Sequence, residues 1–570
     1  PLLSSLRLLT AFLLCSLYLP SFATDGNFGG GDGSSTNPYL IEDAMDLTAF
    51  RDSVNAGKTS ICGKLTADID LSTVCSESSG TSWASISFFS GTFDGNGFSI
   101  TNLYIYNTIG SAKVGFIKQN YGTIKNLHIQ GSVISTAAVA PYCGGIAAEN
   151  KGYVQCCSFS GTVNGSSTYL GGIVGYLTGG SITNCWSDAT VTNIAGGSGA
   201  YAGGIAGMMA IRTDRQITNC LFTGNVSGGG RANAISVNGG GYFHAAEECY
   251  YLNGSDNNRY TEQISAAQMK SGEVAWLLQG SQSEQVWGQV LGSDTVPALS
   301  SDIANKVCRL TYTNGSTTVQ TAYTNYGKTL GMPKPDLLKQ VYGAAYDSTL
   351  YYSWSADSLV NQPVKQDLTL TPFPAEYCAI SSPETFANFA ASVNAGNVYT
   401  TGKVTNNIDF ATWSASNAWT MITNFAGTLD GQGHTISNFN KGRGLWDQQP
   451  FFSSIAAGGT VKNLTFSLCS ASVLGNSALI AQTNNGTIQG ITIFGAWIQG
   501  RDNNTAGIAS NNGGTIADCA VLKTTLKKRW SGVNNKTAGG VCGYNNNAGI
   551  IKNCLSLNNN YVEVYPGDAS

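Results

Sequence analysis

The chain has 570 residues, of which 11% are charged, 42% are apolar and 70 are glycine. The apolar content excludes a disordered chain, and a net charge of −4 provides no basic surface for nucleic acid. Abundant Gly, Asn, Ser and Thr beside β-branched residues is typical of short strands joined by tight turns. We therefore expect several mostly β domains and no nucleic-acid partner.

The N-terminus has the pattern of a secretory signal peptide. Arg7 supplies the positive charge, the apolar run 8–19 has the length of a signal's hydrophobic region, and small residues favour cleavage after Ala23. The run is shorter than the roughly 20 residues that cross a bilayer, so we expect no membrane span. We predict a signal peptide over 1–23, a Gly/Ser-rich linker over 24–38, and a secreted or cell-surface location.

A short motif recurs in both halves: a Gly-rich turn, a β-branched residue, a polar residue, then Asn or a substitute. Its Asn positions are Asn102, Asn126, Gln155, Asn184 and Asn219, then Asn438, Asn463, Gly490, Asp518 and Asn553. The steps are 24, 29, 29 and 35 residues in the first half and 25, 27, 28 and 35 in the second. A second motif, Gly-Gly followed by Ile as in GGIVGY at 171–176, alternates with it. Two series of nearly equal irregular spacing indicate an internal duplication.

Repeats of this length cannot bury an apolar face alone and must stack on their neighbours. We predict an all-β protein with two right-handed parallel β-helix (solenoid) domains. Ile, Val and Leu should form inward ladders, Gly should occupy corners of positive φ, and the motif Asn amides should stack from coil to coil. Five cysteines follow the motif position, and we expect an inward stack of apolar thiols, with disulfides between coils as the alternative: Cys156, Cys185, Cys220, Cys519 and Cys554.

Each half begins with an amphipathic segment, 46–57 and 384–396, which we predict to be a helix that caps the open end of its solenoid. Asn314-Gly315 predicts a β-hairpin turn between the halves. The expected division is a first β-helix with its cap at 39–254, a helical and irregular closing segment at 255–303, a small β-rich module at 304–375, and a second β-helix, truncated at its C-terminus, at 376–570.

The stretch GGIVGYLTGGSITNC resembles the GLUG repeat of secreted bacterial surface proteins, including regions that accompany immunoglobulin A metallopeptidases. The likeness extends over 39–253 and 377–558, and 306–374 is similar to the small extracellular Listeria–Bacteroides repeat module. The resemblance implies an adhesin-like surface or secreted protein. It implies no peptidase, because none of the three histidines lies in an HExxH motif: His128, His244 and His434.

Catalysis has one candidate pair, Asp430 and His434, since β-helices also support polysaccharide lyases and glycoside hydrolases that group carboxylates on one face. The equivalent stretch of the first half runs from Asp94 to Phe98, with Phe in place of His. A side chain that is not repeated favours a turn motif. We expect no enzyme and no catalytic residue, with a lyase or hydrolase as the alternative.

Two further groups are candidate binding sites. Asp68, Asp70 and Asp409 could hold calcium at an entry turn, although Asp at a strand start more often caps backbone N–H groups. We expect no cofactor. A basic cluster, our candidate ligand-binding site, could meet anionic glycans or could form a solvated loop: Lys527, Lys528 and Arg529, beside Trp530.

The sequence thus predicts a monomeric, adhesin-like binding or display scaffold for glycan or host and matrix ligands. A structural spacer that carries a missing C-terminal effector or anchor is a further alternative.

Overall fold

The computed structural model describes residues 27–110, 112–210, 217–238, 246–258, 260–354, 359–360, 362–444, 446–501, 504–529 and 537–564. The predicted signal peptide and its cleavage site lie outside the described residues. The chain divides into a first unit, residues 1–307 with 323–325, and a second unit, residues 308–322 with 326–570. None of the described helices is long and apolar enough to cross a membrane.

The coils of the first unit are built from short strands that pair in parallel with the same strand of the next coil. One sheet contains Ile86–Phe89, Ile117–Asn120, Ala147–Asn150, Val174–Leu177, Ala206–Met209 and Ser236–Asn238. The larger sheet contains Tyr39–Ile41, Gly63–Leu65, Ile69–Asp70, Thr92–Asp94, Ser99–Asn107, Thr123–Lys125, His128–Gly144, Tyr153–Gln155, Ser158–Gly171, Ser181–Thr183, Trp186–Ser187, Thr190–Asn193, Tyr201–Gly203, Ile217–Thr218, Leu221–Phe222, Asn225–Gly228, Arg231–Asn233, Ala246–Tyr251 and Tyr260–Gln263.

The second unit repeats this parallel stacking in four sheets. Their strands are Cys378–Ile380, Gly402–Val404, Ile408–Asp409, Thr428–Asp430, Thr435–Ser437, Thr460–Ser467, Thr487–Phe494, Thr515–Ala517, Ala520–Leu522, Ile550–Lys552 and Leu555–Leu557; Phe452–Ile455, Ala481–Asn484, Ala509–Asn512 and Cys542–Asn545; Ser470–Val473, Trp497–Gly500, Thr525–Arg529 and Asn560–Val564; and Ser477–Ala478, Thr505–Ala506 and Ala538–Gly539. The predicted pair of parallel β-solenoids is confirmed.

Both predicted cap helices are present, as Ala44–Asn55 and Pro383–Asn394. Asp43 caps the first by accepting from two backbone N–H groups, and Ser382 caps the second in a capping box. Each helix lays a phenylalanine over a strand glycine. A Cβ added to Gly63 would lie 2.8 Å from the ring of Phe50, and one added to Gly402 would lie 2.8 Å from the ring of Phe389.

The closing segment of the first unit contains the helices Ala266–Ser271 and Glu273–Gln279 and the short strands Trp287–Gly288 and Ala298–Leu299. It packs against the side of the coils rather than across their end. Trp287 Nε1 donates to Asn184 Oδ1 at 3.0 Å, and Gln282 exchanges two hydrogen bonds with the same amide.

The predicted hairpin is confirmed as the strands Val307–Asn314 and Thr317–Asn325, joined by Leu368–Leu370 into a three-stranded sheet. The module also contains the strands Tyr351–Trp354 and Pro372–Ala375 and a helix that was not predicted, Pro335–Tyr342. Three-residue 3₁₀ turns are Ile303–Asn305 and Gly343–Ala345, and the remaining α-helix of the second unit is Ala411–Ser416.

The predicted inward ladder is confirmed at Ile173. Its N–H donates to Ile205 O at 3.0 Å and its carbonyl accepts from Ile146 N at 2.9 Å, and all three side chains are fully buried. The apolar core is therefore continuous through these three coils.

The expectation that glycine forms the left-handed corners is wrong for the Gly-Gly pairs that precede Ile146, Ile173 and Ile205, none of which has positive φ. The motif position itself takes φ of 51–53° at Asn126, Cys156, Asn184 and Asn219. Asn tolerates this conformation better than other residues with a Cβ. The turn therefore selects Asn, and the glycines serve another purpose.

The register of the Asn series also needs correction. Gln155 pairs with Thr183, so Cys156 occupies the corner and Cys157 aligns with Cys185. The inward thiol stack therefore runs through four buried free cysteines: Cys157, Cys185, Cys220 and Cys249.

The first member of each Asn series belongs to a different corner of the coil. Asp94 pairs with Lys125, which places Gly95 rather than Asn102 beneath Asn126. In the second half, Asp430 pairs with Lys462, so Gly431 rather than Asn438 precedes Asn463. The first interval of each series therefore runs between Asn residues at two different corners of the coil.

The predicted amide ladder exists but not at the motif Asn. Asn120 Nδ2 donates to Asn150 Oδ1 at 2.6 Å, and in the second unit Asn484, Asn512 and Asn545 form the same chain with steps of 2.7 Å. These side chains point into the coil. Motif asparagines such as Asn126 and Asn463 instead donate outward to a carboxylate of the preceding coil, Asp94 at 3.0 Å and Asp430 at 3.1 Å.

Candidate functional site

The Gly-Gly-Ile-x-Gly motif makes a re-entrant corner, at which the outer faces of two successive strands approach each other. A Cβ added to Gly175 would lie 2.7 Å from Cys143 N and from Ala148 O, and one added to Gly207 would lie 2.5 Å from Leu170 N. A side chain at either position would clash with that backbone, so the two strands approach closely in these coils. Side chains farther from the corner on the two strands contact each other along the solenoid axis, and we call this surface the notch.

One wall of the first unit's notch is a column of five side chains from consecutive coils. The strand register pairs Tyr142 with Tyr169, Tyr169 with Tyr201, and Tyr201 with Arg231. Val114 forms a bridge with Cys143, which places Lys113 beside Tyr142. The column therefore consists of three tyrosines with a cationic residue at each end.

The tyrosine rings are stacked along the solenoid axis. Ring centroids are 5.5 Å apart for Tyr142 and Tyr169 and 5.6 Å apart for Tyr169 and Tyr201, with interplanar angles of 5° and 8°. Because the faces cover one another, a ligand in the notch would meet ring edges and hydroxyl groups. No described residue hydrogen-bonds these hydroxyls or that of Tyr176, whose ring lies 4.8 Å from that of Tyr169.

The opposite wall is formed by Gln119, Glu149, Tyr176 and Met208, which the register aligns across four coils. Glu149 is the acidic member, and its side chain is 8% exposed. Lys113 Nζ lies 2.5 Å from Glu149 Oε2, and Gln119 Nε2 donates to the same oxygen at 2.9 Å. The carboxylate is therefore hydrogen-bonded both across the notch to Lys113 and within its own wall to Gln119.

Burial and charge set the protonation of the notch. Burial acts to raise the pKa of Glu149, but hydrogen bonding and charge from Lys113 outweigh it and hold that pKa below its ordinary value. Burial raises the pKa of Tyr142 and of Tyr169, with the Glu149 carboxylate adding to the rise at Tyr142. At neutral pH the notch thus presents phenolic O–H groups that can donate and accept.

A family model described as the GLUG motif matches residues 166–192. The chain carries the GLUG motif. The matched segment contains the corner glycines, Tyr169 and Tyr176, so the motif is the sequence of the notch.

Two relatives share part of the GLUG-bearing chain. A protein described as a Gly-rich membrane protein of Evansella cellulosilytica is 31% identical over 151 residues, which cover 25% of this chain and 17% of that protein. Halomucin of Haloquadratum walsbyi is 38% identical over 115 residues, which cover 19% of this chain and 1% of that protein. The chain thus spans less than a fifth of either relative.

Among solved structures, an immunoglobulin A1 protease from Bacteroides ovatus aligns with 48% of this chain and 96% of its own, at 20% identity and a TM-score of 0.34. A superposition of that quality supports no inference about this chain.

The GLUG corner recurs in the second unit with different side chains. Aligned on the Ile of the motif, the positions of Tyr142, Tyr169 and Tyr201 are occupied by Asn476, Asn504 and Thr537. Asn504 Nδ2 donates to Asn511 Oδ1 at 2.7 Å, across the corner, and Asn504 Oδ1 accepts from Thr537 N at 3.2 Å. The second notch is lined by amides that bond to one another.

The predicted basic cluster is divided by strand alternation. Lys528 is 5% exposed and lies on the same strand face as the buried Leu526, beside Gly500 of the preceding coil, whereas Lys527 points to the other face and is half-buried. The expected solvated loop is a strand here. The side chain of Arg529 and all of Trp530 lie outside the described residues, and the ligand-binding role stays a prediction.

The candidate pair Asp430 and His434 is not assembled into a site. Asp430 Oδ1 accepts from Gln432 N at 3.0 Å and Asn463 Nδ2 at 3.1 Å, and its Oδ2 is 3.3 Å from Lys462 Nζ. Asp94 in the first unit has the same three kinds of partner, at 2.9, 3.0 and 3.2 Å. This repetition matches a turn role.

The calcium candidates are likewise engaged in turns. Asp70 Oδ1 accepts from Asn102 Nδ2, and Asp409 Oδ1 from Asn438 Nδ2, which together with backbone N–H bonds lower the pKa of both carboxyls. Asp68 Oδ1 accepts from Ser99 N. No group of three or more metal-ligating side chains occurs among the described residues, which exclude His244.

His128 lines a separate cavity of about 380 Å³ between the corner residues Asn126 and Cys156 and the closing segment. Its Nδ1 is 2.8 Å from Ser158 Oγ, and burial lowers the pKa of the imidazole. Burial also raises the pKa of the Cys156 thiol to about 11. Both groups are therefore neutral at pH 7, which argues against a thiolate–imidazolium pair.

The tyrosine column was missed at the level of sequence, although a signal is present. Tyr stands two residues before the Gly-Gly pair in three successive repeats, as Tyr-Cys-Gly-Gly, Tyr-Leu-Gly-Gly and Tyr-Ala-Gly-Gly at 142, 169 and 201. The strand register places these three residues in one column.

Proposed function

We propose that the chain is an exported, adhesin-like surface or secreted protein that binds glycan chains along the notch of the first unit. The observation that carries this proposal is the column of three stacked tyrosines with unpartnered hydroxyls. Aromatic side chains with a few convergent polar groups are a common lining of ligand sites. Tyrosine supplies both contact area and a hydrogen-bonding group at low entropic cost.

The repeat along the notch suits a polymer. Hydroxyl-bearing rings recur every 5.5–5.6 Å, one per coil, so a hydroxyl-rich chain lying along the axis would meet similar partners at each step. The surface location is supported by the predicted signal peptide, by the GLUG motif, and by relatives described as a membrane protein and a halomucin.

We propose further that binding is not accompanied by catalysis. Glu149, the carboxylate of the described notch, is hydrogen-bonded to Lys113 and held ionised, so it is not a proton donor at neutral pH. Glycoside hydrolysis ordinarily needs a second carboxyl group within about 10 Å on the opposite side of the bond. Purified protein that released reducing or unsaturated sugar, with loss of release in Glu149→Gln, would contradict this part.

The binding proposal is tested on a glycan array followed by titration of the best glycan. Tyr169→Ala should weaken binding about tenfold or more, because it removes a central ring from the column. Tyr169→Phe keeps the stack and should lose less. Tyr153→Ala, at a 50% exposed tyrosine of the same unit outside the notch, is the matched control and should bind as the parent does. Equal binding by Tyr169→Ala and the parent would overturn the proposal.

A further inference from the structure

The two cations that end the tyrosine column differ in their partners. Lys113 is paired with Glu149 at 2.5 Å, so its charge is compensated inside the notch. Arg231 is exposed, and no described residue forms an ion pair or hydrogen bond with its guanidinium. The Lys113 end of the notch thus already holds a carboxylate, which Lys151 Nζ also approaches to 3.6 Å, whereas no described carboxylate pairs with Arg231.

Arg231 is held in line with the tyrosines by the backbone. The strand Arg231–Asn233 pairs with Tyr201–Gly203, with Arg231 directly opposite Tyr201, and Arg231 N donates to Ala200 O at 3.3 Å. The register thus makes Arg231 the next residue of the column after Tyr201. A ligand chain that continues past the last ring must meet this charge.

Resting on the proposed glycan binding, we infer that the notch selects acidic polysaccharides, with a carboxylate or sulfate group of the chain held at Arg231. A planar guanidinium donates two parallel hydrogen bonds to such a group. Burial raises the pKa of Tyr142 and Tyr169, so these phenols of the column are protonated at neutral pH and donate to anionic oxygens as well. The compensated Lys113 end requires no charge from the ligand.

The probes are polygalacturonate and the same polymer with its carboxyl groups methyl-esterified, which retains the sugar backbone and removes the charge. The full chain should bind polygalacturonate about tenfold more tightly at low salt, the effect expected of one charge-assisted contact. Salt should reduce this preference, since the pair is exposed.

Arg231→Gln should abolish the preference and leave binding of the esterified polymer unchanged, while Arg231→Lys should keep part of it. Lys58→Gln, at an exposed lysine of the same unit outside the column, controls for general charge and should keep the full preference. Equal binding of the two polymers by the parent, or an unchanged preference in Arg231→Gln, would overturn the inference.

The outcomes separate this inference from the function on which it rests. If neutral glycans bind in a way that depends on Tyr169 but not on Arg231, the notch binds glycans without selecting charge, and only the inference fails. If Tyr169→Ala leaves binding of every polymer unchanged, the proposed function fails with it.

Discussion

The two notches share a scaffold but differ in chemistry. In the first unit Tyr169 stacks between two other tyrosines and no described residue hydrogen-bonds its hydroxyl, whereas in the second Asn504 occupies the same place and bonds to Asn511 and Thr537. A corner glycine occurs in each unit, since a Cβ added to Gly175 or Gly543 would lie within 2.8 Å of neighbouring backbone, but Gln482 and Ser510 take the place of Gly543 in the preceding coils. The two units thus share the corner, and the residues around it decide what the notch can bind.

The largest expected effect separates the two units as folding units. Ile173→Asp buries a carboxylate without a partner in the first solenoid, which should cost several kcal/mol and unfold its coils. Because coils contact only their neighbours, the second unit should survive. Limited proteolysis should cut within 100–250 and leave a resistant fragment that starts near Tyr377.

The matched variant is Ile508→Asp, at the equivalent fully buried position of the second unit. It should reverse the result and leave the first unit resistant. Joint collapse of the whole chain in either variant would show that the two solenoids form one cooperative unit.

The next effect tests the shared scaffold. Gly175→Ala places a methyl group against Cys143 N and Ala148 O, and Gly543→Ala places one against Ser510 O. Each should lower the free energy of unfolding of its unit by about 2 kcal/mol, as expected of overpacking. Gly196→Ala, where no atom lies within 4 Å, should be neutral in the same thermal melts. Equal stability of all three variants would mean that the backbone at the corner shifts to accommodate a methyl group.

A smaller change should convert one notch toward the other. Tyr169→Asn gives the first unit the side chain that the second has at Asn504, and should reduce glycan affinity about tenfold with little change in melting temperature. Titration of the glycan with parent and variant measures this. Retained affinity would mean that the stacked tyrosines are not what distinguishes the two notches.

The smallest effect concerns pH and belongs to the first unit. Burial lowers the pKa of His128 in the folded chain below its ordinary value of 6.5, so unfolding takes up a proton as the pH falls below about 6.5. Stability of the first unit should therefore be full above that pH and decline below it. Melting temperatures between pH 7.5 and 4.5 should show this slope for the parent and a flatter one for His128→Gln.

The second unit provides the internal control, because Thr465 occupies the position of His128 two residues after the motif Asn. Carboxyls with lowered pKa occur in both units, for example Asp94 and Asp430, and stabilise them above about pH 4 and lose that effect below it. A slope between pH 6.5 and 4.5 in the second unit alone would contradict the assignment to His128.

Sequence periodicity was sufficient for the architecture. The duplication, the two cap helices and the inward position of Ile173 follow from apolar spacing and turn residues, since each coil repeats the same local pattern. The corners were harder to assign. Asn102 and Asn126 each lie two residues after an Ile and just before a Leu, yet only strand register shows that they turn different corners.

The sequence likewise predicts only part of the candidate site. Composition and motif spacing by themselves determine a parallel β-solenoid, because burial of β-branched residues in every coil leaves few other folds. They also place tyrosines at 142, 169 and 201, but as three unrelated residues about 30 positions apart. Only the tertiary structure decides that these rings stack, that Arg231 continues their column and that Lys528 is buried. The reason is that contacts between coils depend on register and on which strand face a side chain takes, and a shift of one residue reverses that face.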